Sequence, residues 1–423
     1  MLSNCLILVL NVIIVSCADK SESRNVSFIS NPDIPSHLLH SNINIIYLRS
    51  ASNSDVLHFI YSAGNFTETP SIILMRSLDL SSKLSIDWDQ FTSNDIELRK
   101  NSIKQIGKNF TSNFGIVFTK IYHYNDASDS VDMNGNKVIS WKFDQFDWIV
   151  TTDKNSFHKV FLKTTTMKSD AELFTNGSQI ILEFDYSNSS TYNTEMPKLL
   201  FNTNNIQFNL ELIKLQNILP SPRFAFEFAL VNIKNNNSMS LDEVKSIDDE
   251  YSPGVFITKN FHGQSGGSGN PDDETYVQFK PVCYTKRGSY AIDAISVSKA
   301  SDPKVLETSD VQFSNTSDLF KSSAVYLAYA DDIFQPFSKT HLVNITFGLS
   351  KDKFYKGYIK WTASFGTGRP PSYELSITII MVIIFGLGLP FIIVVVGSVY
   401  VIIKKRFGKK RVEVYEKIND SVN

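Results

Sequence analysis

The sequence contains few cysteines, and it has no large excess of positive or negative charge. Its 423 residues include three cysteines, and the formal net charge is -2 at pH 7. With 42% hydrophobic residues, 31 Phe and 17 Tyr, the composition is that of a folded chain with a large core. It excludes a wholly disordered, collagen-like or coiled-coil protein. No strongly basic domain is present to hold nucleic acid.

The chain also lacks the short motifs of metal, nucleotide and catalytic sites. Its histidines are scattered without an H-E-x-x-H pattern, and neither a phosphate-binding glycine loop nor a dinucleotide fingerprint occurs. Residues 263–267 match G-x-S-x-G, but loop residues follow where a nucleophile elbow needs a helix. We interpret the acidic runs 248–250 and 272–274 as solvated loops, because their spacing does not fit a calcium loop. The sequence therefore predicts no catalytic residue, cofactor or metal, although a spatial pair of carboxylates would leave no sequence pattern.

An apolar segment lies near the amino terminus. Residues 6–15 have the length of a signal-peptide core, and Ser16 and Ala18 occupy positions -3 and -1 of a cleavage site before Asp19. We therefore predict a signal peptide over 1–18. The alternative is a bacterial lipidation box that ends at Cys17, which a second membrane anchor at the other end of the chain disfavours.

A longer apolar segment lies near the carboxyl terminus. Residues 375–403 carry no charge, which predicts a transmembrane helix. Six basic residues follow between Lys404 and Arg411, and such clusters face the cytosol. Both ends thus predict a single-pass type I protein, with residues 19–374 lumenal or extracellular and residues 404–423 in the cytosol.

Sequons are frequent in the predicted lumenal part, and each one that is used must lie at the surface. The eight candidates for N-glycosylation are Asn25, Asn65, Asn109, Asn176, Asn188, Asn236, Asn315 and Asn344. A ninth sequon, at Asn419, falls on the cytosolic side, where it would stay bare.

Cysteine usage restricts how the lumenal part is held together. Cys5 and Cys17 lie in the predicted signal peptide, so Cys283 is the only cysteine of residues 19–374. This excludes an intramolecular disulfide there, and the apolar core must hold the fold. We interpret Cys283 as a small buried strand residue; a reactive thiol and an intermolecular bridge are the alternatives.

Period-two alternation of apolar and polar residues is the recurring pattern. Residues 206–212 place four apolar side chains on one face and three polar ones on the other, as in a half-buried antiparallel strand. Asn134-Gly135 predicts a tight hairpin, and a helical turn or two is possible at 242–246. Further strands are predicted at 57–62, 84–88, 115–124, 137–143, 148–152, 179–186, 224–233, 276–284, 324–330, 344–349 and 358–363.

These patterns predict a mainly β protein. The lumenal region is expected to be an antiparallel β-sandwich, followed by the C-terminal transmembrane helix. Two packed β units could divide near residues 234–245.

The cytosolic tail carries a candidate sorting signal. Tyr415 and Ile418 fit the tyrosine-x-x-bulky-apolar pattern, which clathrin adaptors read as an extended peptide with the two side chains in separate pockets. The tail is therefore predicted to bind a clathrin adaptor; the alternative is a plain solvated tail.

Several blocks of the sequence resemble one family. The most specific is 246–256 (SIDDEYSPGVF), and weaker blocks are LHF, LSIDW, VFT and VNITFG, which begin at Leu57, Leu84, Val117 and Val343. The tail YEKIN from Tyr415 resembles the terminal sorting signal of the same family. On these blocks the chain resembles the glycosylated lysosomal membrane proteins.

The resemblance implies a type I lysosomal glycoprotein that acts as an accessory subunit. Its partner would be a multi-span major-facilitator transporter that exports dipeptides, which it would shield from lumenal proteases. Vertebrate members of the family carry several lumenal cysteines where this chain keeps Cys283, so a disulfide role does not transfer. A membrane-anchored lumenal hydrolase and a cell-surface adhesion receptor are the alternative functions.

Overall fold

The structure is a computed structural model in which two compact units can be described, residues 1–372 and residues 373–423. The residues that it describes are 24–41, 43–130, 133, 136–153, 159–168, 172–188, 191–192, 199–233, 240–249, 253–263, 271–284, 306–308, 320–335, 338–347, 355–371 and 389–420.

The first unit contains a nine-stranded antiparallel sheet, called the first sheet below. Its strand order is β1-β2-β3-β4-β7-β15-β20-β19, and β8 also pairs with β7. The strands are β1 (Asn25–Ser30), β2 (Ile45–Ala51), β3 (Val56–Gly64), β4 (Thr67–Ser77), β7 (Phe110–Asn125), β8 (Val138–Lys142), β15 (Pro222–Asn232), β19 (Leu306–Thr308) and β20 (Lys339–Thr346).

An eight-stranded antiparallel sheet, the second sheet, has the order β16-β17-β18-β21-β14-β11-β10-β9. Its strands are β9 (Phe146–Thr152), β10 (Lys159–Met167), β11 (Gln179–Tyr186), β14 (Asn205–Ile213), β16 (Ser240–Asp249), β17 (Pro253–Gly263), β18 (Thr275–Tyr284) and β21 (Tyr358–Thr367). Two small pairs complete the described strands: β5 (Lys83–Ile86) with β6 (Ile103–Ile106), and β12 (Thr191–Tyr192) with β13 (Leu200–Phe201).

The two sheets pack face to face over a core rich in phenylalanine. Phe208 of β14 stacks on Phe118 of β7 with ring centroids 5.0 Å apart, and Phe184 and Phe226 lie 5.2 and 6.3 Å from the Phe208 ring. All four side chains are fully buried. This is the sandwich that the alternation at 206–212 predicts, since one face of the strand enters the core.

A second apolar core covers the other face of the first sheet. It is closed by two helices, α1 (Trp88–Phe91) and α2 (Ala324–Ile333), and by the β5–β6 pair. The side chain of Ser323 caps α2 by accepting the Tyr326 amide. Gly115 of β7 faces this helix at close range. The first unit therefore has three layers, with the first sheet in the middle.

Most of the predicted strands are confirmed, and 179–186 matches β11 at both ends. Two predictions are wrong: 324–330 is helix α2, and 242–246 belongs to strand β16. The strand predicted at 84–88 ends at Ile86, because Asp87 caps α1 by accepting the Gln90 amide. The sequence pattern predicts none of strands β1, β2, β4, β6, β10, β12, β13, β17 and β19, and Asn134-Gly135 lies outside the described residues.

The second unit contains helix α3 (Leu389–Asp420). The C-terminal helix that the sequence predicts is thus present, with a helical backbone over 389–403. None of the helices in the described part of the chain is long and apolar enough to cross a membrane. Residues 375–388, the first half of the predicted span, lie outside that part.

Candidate functional site

The exposed glycosylation sites of the first unit occupy two kinds of position. Asn25 is exposed at the start of edge strand β1, while four more exposed sites lie between strands: Asn65, Asn109, Asn176 and Asn188. Asn236 and Asn315 lie outside the described residues. Loops between strands are the preferred sites of proteolytic cutting. Glycans on these four loops would cover the segments that a protease would attack first.

Asn344 differs from the other described sequons, because it is buried. Its side chain is 6% exposed in β20, and the Thr346 side chain of the same sequon is 2% exposed. Neighbouring strands flank Asn344 on both sides, with Glu227 of β15 and Leu306 of β19 as its pairing partners. A glycan at Asn344 therefore requires this part of the sheet to open.

A buried cluster of charges joins the two sheets at one end of the sandwich. Asp55, in the β2–β3 turn, binds Arg24 and Arg76 with N–O distances of 2.7 Å each. Arg76 also binds Asp273, 2.8 Å away, which lies in a 3-10 helix just before β18. Arg24 donates to the Asn204 side chain at 2.9 Å. The cluster thus connects β4 of the first sheet to the loops before β14 and β18 of the second.

This cluster corrects one interpretation of the sequence. The run 272–274 was expected to be a solvated acidic loop, but Asp273 is 4% exposed and held by Arg76. The pKa of Asp55 is shifted by burial, which raises it, and by the charges and hydrogen bonds of Arg24 and Arg76, which outweigh burial and lower it. Asp55 therefore stays ionised in moderately acidic solution.

Two other buried carboxylates are also compensated. Arg223, at the start of β15, binds Asp126 at 2.6 Å. Glu227 accepts hydrogen bonds from Thr119 at 2.8 Å and Lys120 at 3.0 Å. Because these groups are hydrogen-bonded and paired, they rigidify the sheet and offer no free carboxylate for catalysis.

One arrangement resembles the serine–histidine pair of a hydrolase. His58 lies between the Tyr47 hydroxyl, 2.7 Å from Nδ1, and the Ser82 hydroxyl, 2.9 Å from Nε2. Tyr47 also accepts the Leu84 amide, and either ring nitrogen of His58 can carry the hydrogen, because each neighbouring hydroxyl can donate or accept. Both His58 and Ser82 are fully buried, and burial, aided by the charge of Arg49, lowers the pKa of His58 to about 3.

His123 of β7 is a second buried imidazole. Neither ring nitrogen has a hydrogen-bond partner, and the ring lies 4.7 Å from that of Phe224. Burial lowers the pKa of His123 to about 4. The sequence patterns did not predict that these two histidines are buried. His58 and His123 each lie in a predicted strand, and the alternation of the strand could have indicated that their side chains face inward.

The remaining predicted motifs do not form a site in the described residues. Gly263 ends β17, while residues 264–270 lie outside them, and no group of metal-ligating side chains occurs among the residues that the structure covers. Cys283 lies in β18, opposite Trp361 of β21. Tyr415 and Ile418 both lie in α3, so an adaptor that reads an extended peptide requires this part of the helix to unwind.

Comparison with known proteins places these features in a family context. A family model described as "Glycosylated lysosomal membrane protein" matches residues 44–407. A zebrafish (Danio rerio) protein of that description is 29% identical over 409 residues, covering 94% of this chain and 92% of its own length. Similar proteins from Xenopus laevis, called A, and from Homo sapiens are 23% and 24% identical over 391 and 395 residues. They cover 90% and 89% of this chain, and 90% and 87% of their own lengths.

Proposed function

Since the chain belongs to the glycosylated lysosomal membrane protein family, whose members are lysosomal membrane glycoproteins, we propose that it is a non-enzymatic accessory subunit of a transporter. In this proposal it is a single-pass type I protein with residues 19–374 in the lysosomal lumen. It binds a multi-span major-facilitator transporter of dipeptides and protects that transporter from lumenal proteases.

The observation that carries the proposal is the position of the exposed sequons. Asn65, Asn109, Asn176 and Asn188 lie between strands, where proteases cut most readily, and the strands themselves are paired. Glycans at these sites would make the sandwich a protease-resistant cover. A bulky and resistant cover is what a protective subunit needs.

The buried charges support the proposal that the protein functions in an acidic compartment. Asp55 keeps its charge as the pH falls, because Arg24 and Arg76 hold its pKa below the usual value. The cluster that joins the two sheets therefore retains this ion pair at the pH of a lysosome.

The C-terminal unit supports a membrane anchor. Aliphatic side chains of α3 from Ile392 to Ile403 are exposed, at 44% to 64% where they are large, which suits contact with lipid or with a partner helix. Gly397 has no side chain, so the backbone of a partner helix can approach closely there. The tail with Tyr415 and Ile418 would bind a clathrin adaptor.

Copurification tests the partnership. The intact protein is purified from native membranes in mild detergent, and bound proteins are identified by mass spectrometry. We expect one multi-span major-facilitator protein in near-stoichiometric amount. Recovery of the chain alone, under conditions in which other membrane complexes stay intact, would refute the subunit role.

Topology and sorting are tested separately. In sealed microsomes, an epitope placed after Asn423 should be digested by added protease, and shielding of the epitope would contradict type I orientation. Tyr415→Ala should move the protein from lysosomes to the plasma membrane, whereas Tyr400→Ala should not. An unchanged distribution of the Tyr415 variant would remove the tail assignment.

Two rival functions give different results. A lumenal hydrolase would show activity of the purified protein on glycosides or esters at acidic pH, and we expect none. An adhesion receptor would reside at the cell surface with its wild-type tail intact, whereas the proposal expects residence in lysosomes.

A further inference from the structure

A surface pocket lies where the β3–β4 turn of the first sheet meets the edge of the second sheet. It has a volume of about 320 Å³ and is lined by residues of the β3–β4 turn, of edge strand β9 and of the segment after β10. Among the lining residues are Asn65, Glu68, Asp147, Ile149 and Lys168. The asparagine of a glycosylation sequon thus lies in the wall of the pocket.

The turn that carries Asn65 is held rigidly. Phe66 has a φ of 66°, a conformation that costs energy for a residue other than glycine. Its ring packs 6.1 Å from that of Phe91, and the Arg99 guanidinium lies 5.0 Å above it. The Asn65 Nδ2 donates to the Ser41 carbonyl at 3.2 Å. An N-linked sugar replaces one hydrogen of Nδ2 and leaves the other, so this hydrogen bond can persist and fix the direction of the sugar.

The pocket offers groups that suit an amino sugar. Glu68 and Lys168 of the pocket wall form an ion pair at 2.8 Å, and Asp147 accepts from Thr166 at 2.6 Å, so acceptors and a donor are present for hydroxyl and acetamido groups. Ile149 is 44% exposed and provides an apolar surface for a sugar face or an acetyl methyl.

From this arrangement we propose that the pocket binds the first two N-acetylglucosamine residues of a glycan attached to Asn65. The glycan core then lies across the seam between the β3–β4 turn of the first sheet and β9 of the second. It covers Ile149 and the exposed edge of β9, in addition to the turn that carries it.

The attachment must precede folding of the turn. Thr67, the hydroxyl residue of the sequon, is 1% exposed once β3 and β4 have paired. The sugar is therefore added to the unfolded chain and enters the pocket as the sandwich closes.

Protection of the glycan core from enzymatic cleavage tests the proposal. The intact protein, produced with oligomannose glycans and kept in detergent, is treated with an endoglycosidase that cuts between the two N-acetylglucosamine residues. Mass spectrometry of peptides follows cleavage at Asn65 and at Asn188, an exposed loop site. We expect cleavage at Asn65 to be several-fold slower than at Asn188 in the native protein, and equally fast after denaturation.

Variants of the pocket distinguish binding of the glycan core in the pocket from simple steric hindrance of the endoglycosidase near Asn65. Ile149→Ala and Lys168→Ala should accelerate native cleavage at Asn65 and leave Asn188 unchanged. Val138→Ala, which alters a similarly exposed aliphatic residue (41%) on β8, should change neither rate. Equal native rates at the two sites, or pocket variants without effect, would overturn the proposal.

The inference rests on the lumenal placement in the proposed function. Failure of the pocket assignment and failure of the lumenal placement give different results. A bare Asn65 in a protein that carries a glycan at Asn188 would overturn the pocket assignment alone. A protein without glycans at any site would contradict the lumenal placement itself.

Discussion

Gly115 of β7 and Val325 of α2 lie so close that no side chain fits between them. A Cβ at Gly115 would lie 2.6 Å from a methyl carbon of Val325, well inside contact distance. This approach lets α2 lie flat on the outer face of the first sheet and close the second core.

Gly115→Ala should therefore lower the free energy of unfolding by about 1–3 kcal/mol, the usual effect of overpacking. Chemical denaturation of the detergent-purified protein measures it. Val325→Ala alone should also destabilise, by leaving a cavity. The double variant should recover at least about 1 kcal/mol relative to the sum of the two single effects, because one substitution makes room for the other. Strict additivity would mean that the two residues do not touch.

The ion pair between Arg76 and Asp273 should matter more than a surface pair. Asp273→Asn leaves a buried guanidinium with one partner fewer, and we expect a loss of about 3 kcal/mol in the free energy of unfolding. Lys104→Ala, which breaks an exposed pair with Asp87, should cost less than about 1 kcal/mol. Similar losses for both variants would contradict the clamping role of the buried cluster.

His123 should make the wild-type protein less stable in acid. Its folded pKa is about 4 against 6.5 for the free side chain, so below about pH 6.5 the unfolded chain binds the extra proton. The resulting loss grows as the pH falls and levels off near pH 4. His123→Phe removes this acid-dependent loss. When the pH is lowered from about 7.5 to about 5, the free energy of unfolding of the variant minus that of wild type should therefore increase by up to about 2 kcal/mol. A pH-independent difference would show that His123 does not titrate on unfolding.

Asn344 should be the least occupied of the described sequons in the predicted lumenal part. Its side chain is 6% exposed between two paired strands, so a glycan would prevent the pairing of β20. Site-resolved mass spectrometry of the mature protein should find Asn344 almost bare and Asn188 largely glycosylated. Equal occupancy would mean that β19 and β20 are arranged differently in the glycoprotein.

Much of the fold could be predicted from alternation. The strand at 179–186 has one buried and one mixed face, so its period is clear in the sequence. Alternation predicts a strand at 324–330 in place of helix α2, because these residues are apolar throughout. It does not mark β4, where Thr67, Ser71 and Arg76 are buried along with the apolar run 72–75. A continuously apolar segment carries no period that distinguishes strand from helix, and a strand that is buried on both faces shows no alternation of apolar and polar residues.

The candidate site was less predictable, because its parts are distant in the sequence. Asp273 and Arg76 come into contact only when the two sheets pack. The sequence alone therefore predicts that the acidic run around Asp273 is a solvated loop. The sequons were visible as motifs, but burial of Asn344 depends on strand pairing that no local pattern reveals. The pocket beside Asn65 likewise needs β9 and the β3–β4 turn to come together.

The half-life of the transporter that copurifies with this protein tests the protective role most directly. It is followed in cells by pulse–chase after depletion of the protein, and after re-expression of either the wild type or a variant with Gln at positions 65, 109, 176 and 188. Depletion should shorten the half-life, and lysosomal protease inhibitors should restore it. Wild type should rescue, and the variant should fail even when it reaches lysosomes. A transporter whose half-life is unchanged by depletion would contradict the account.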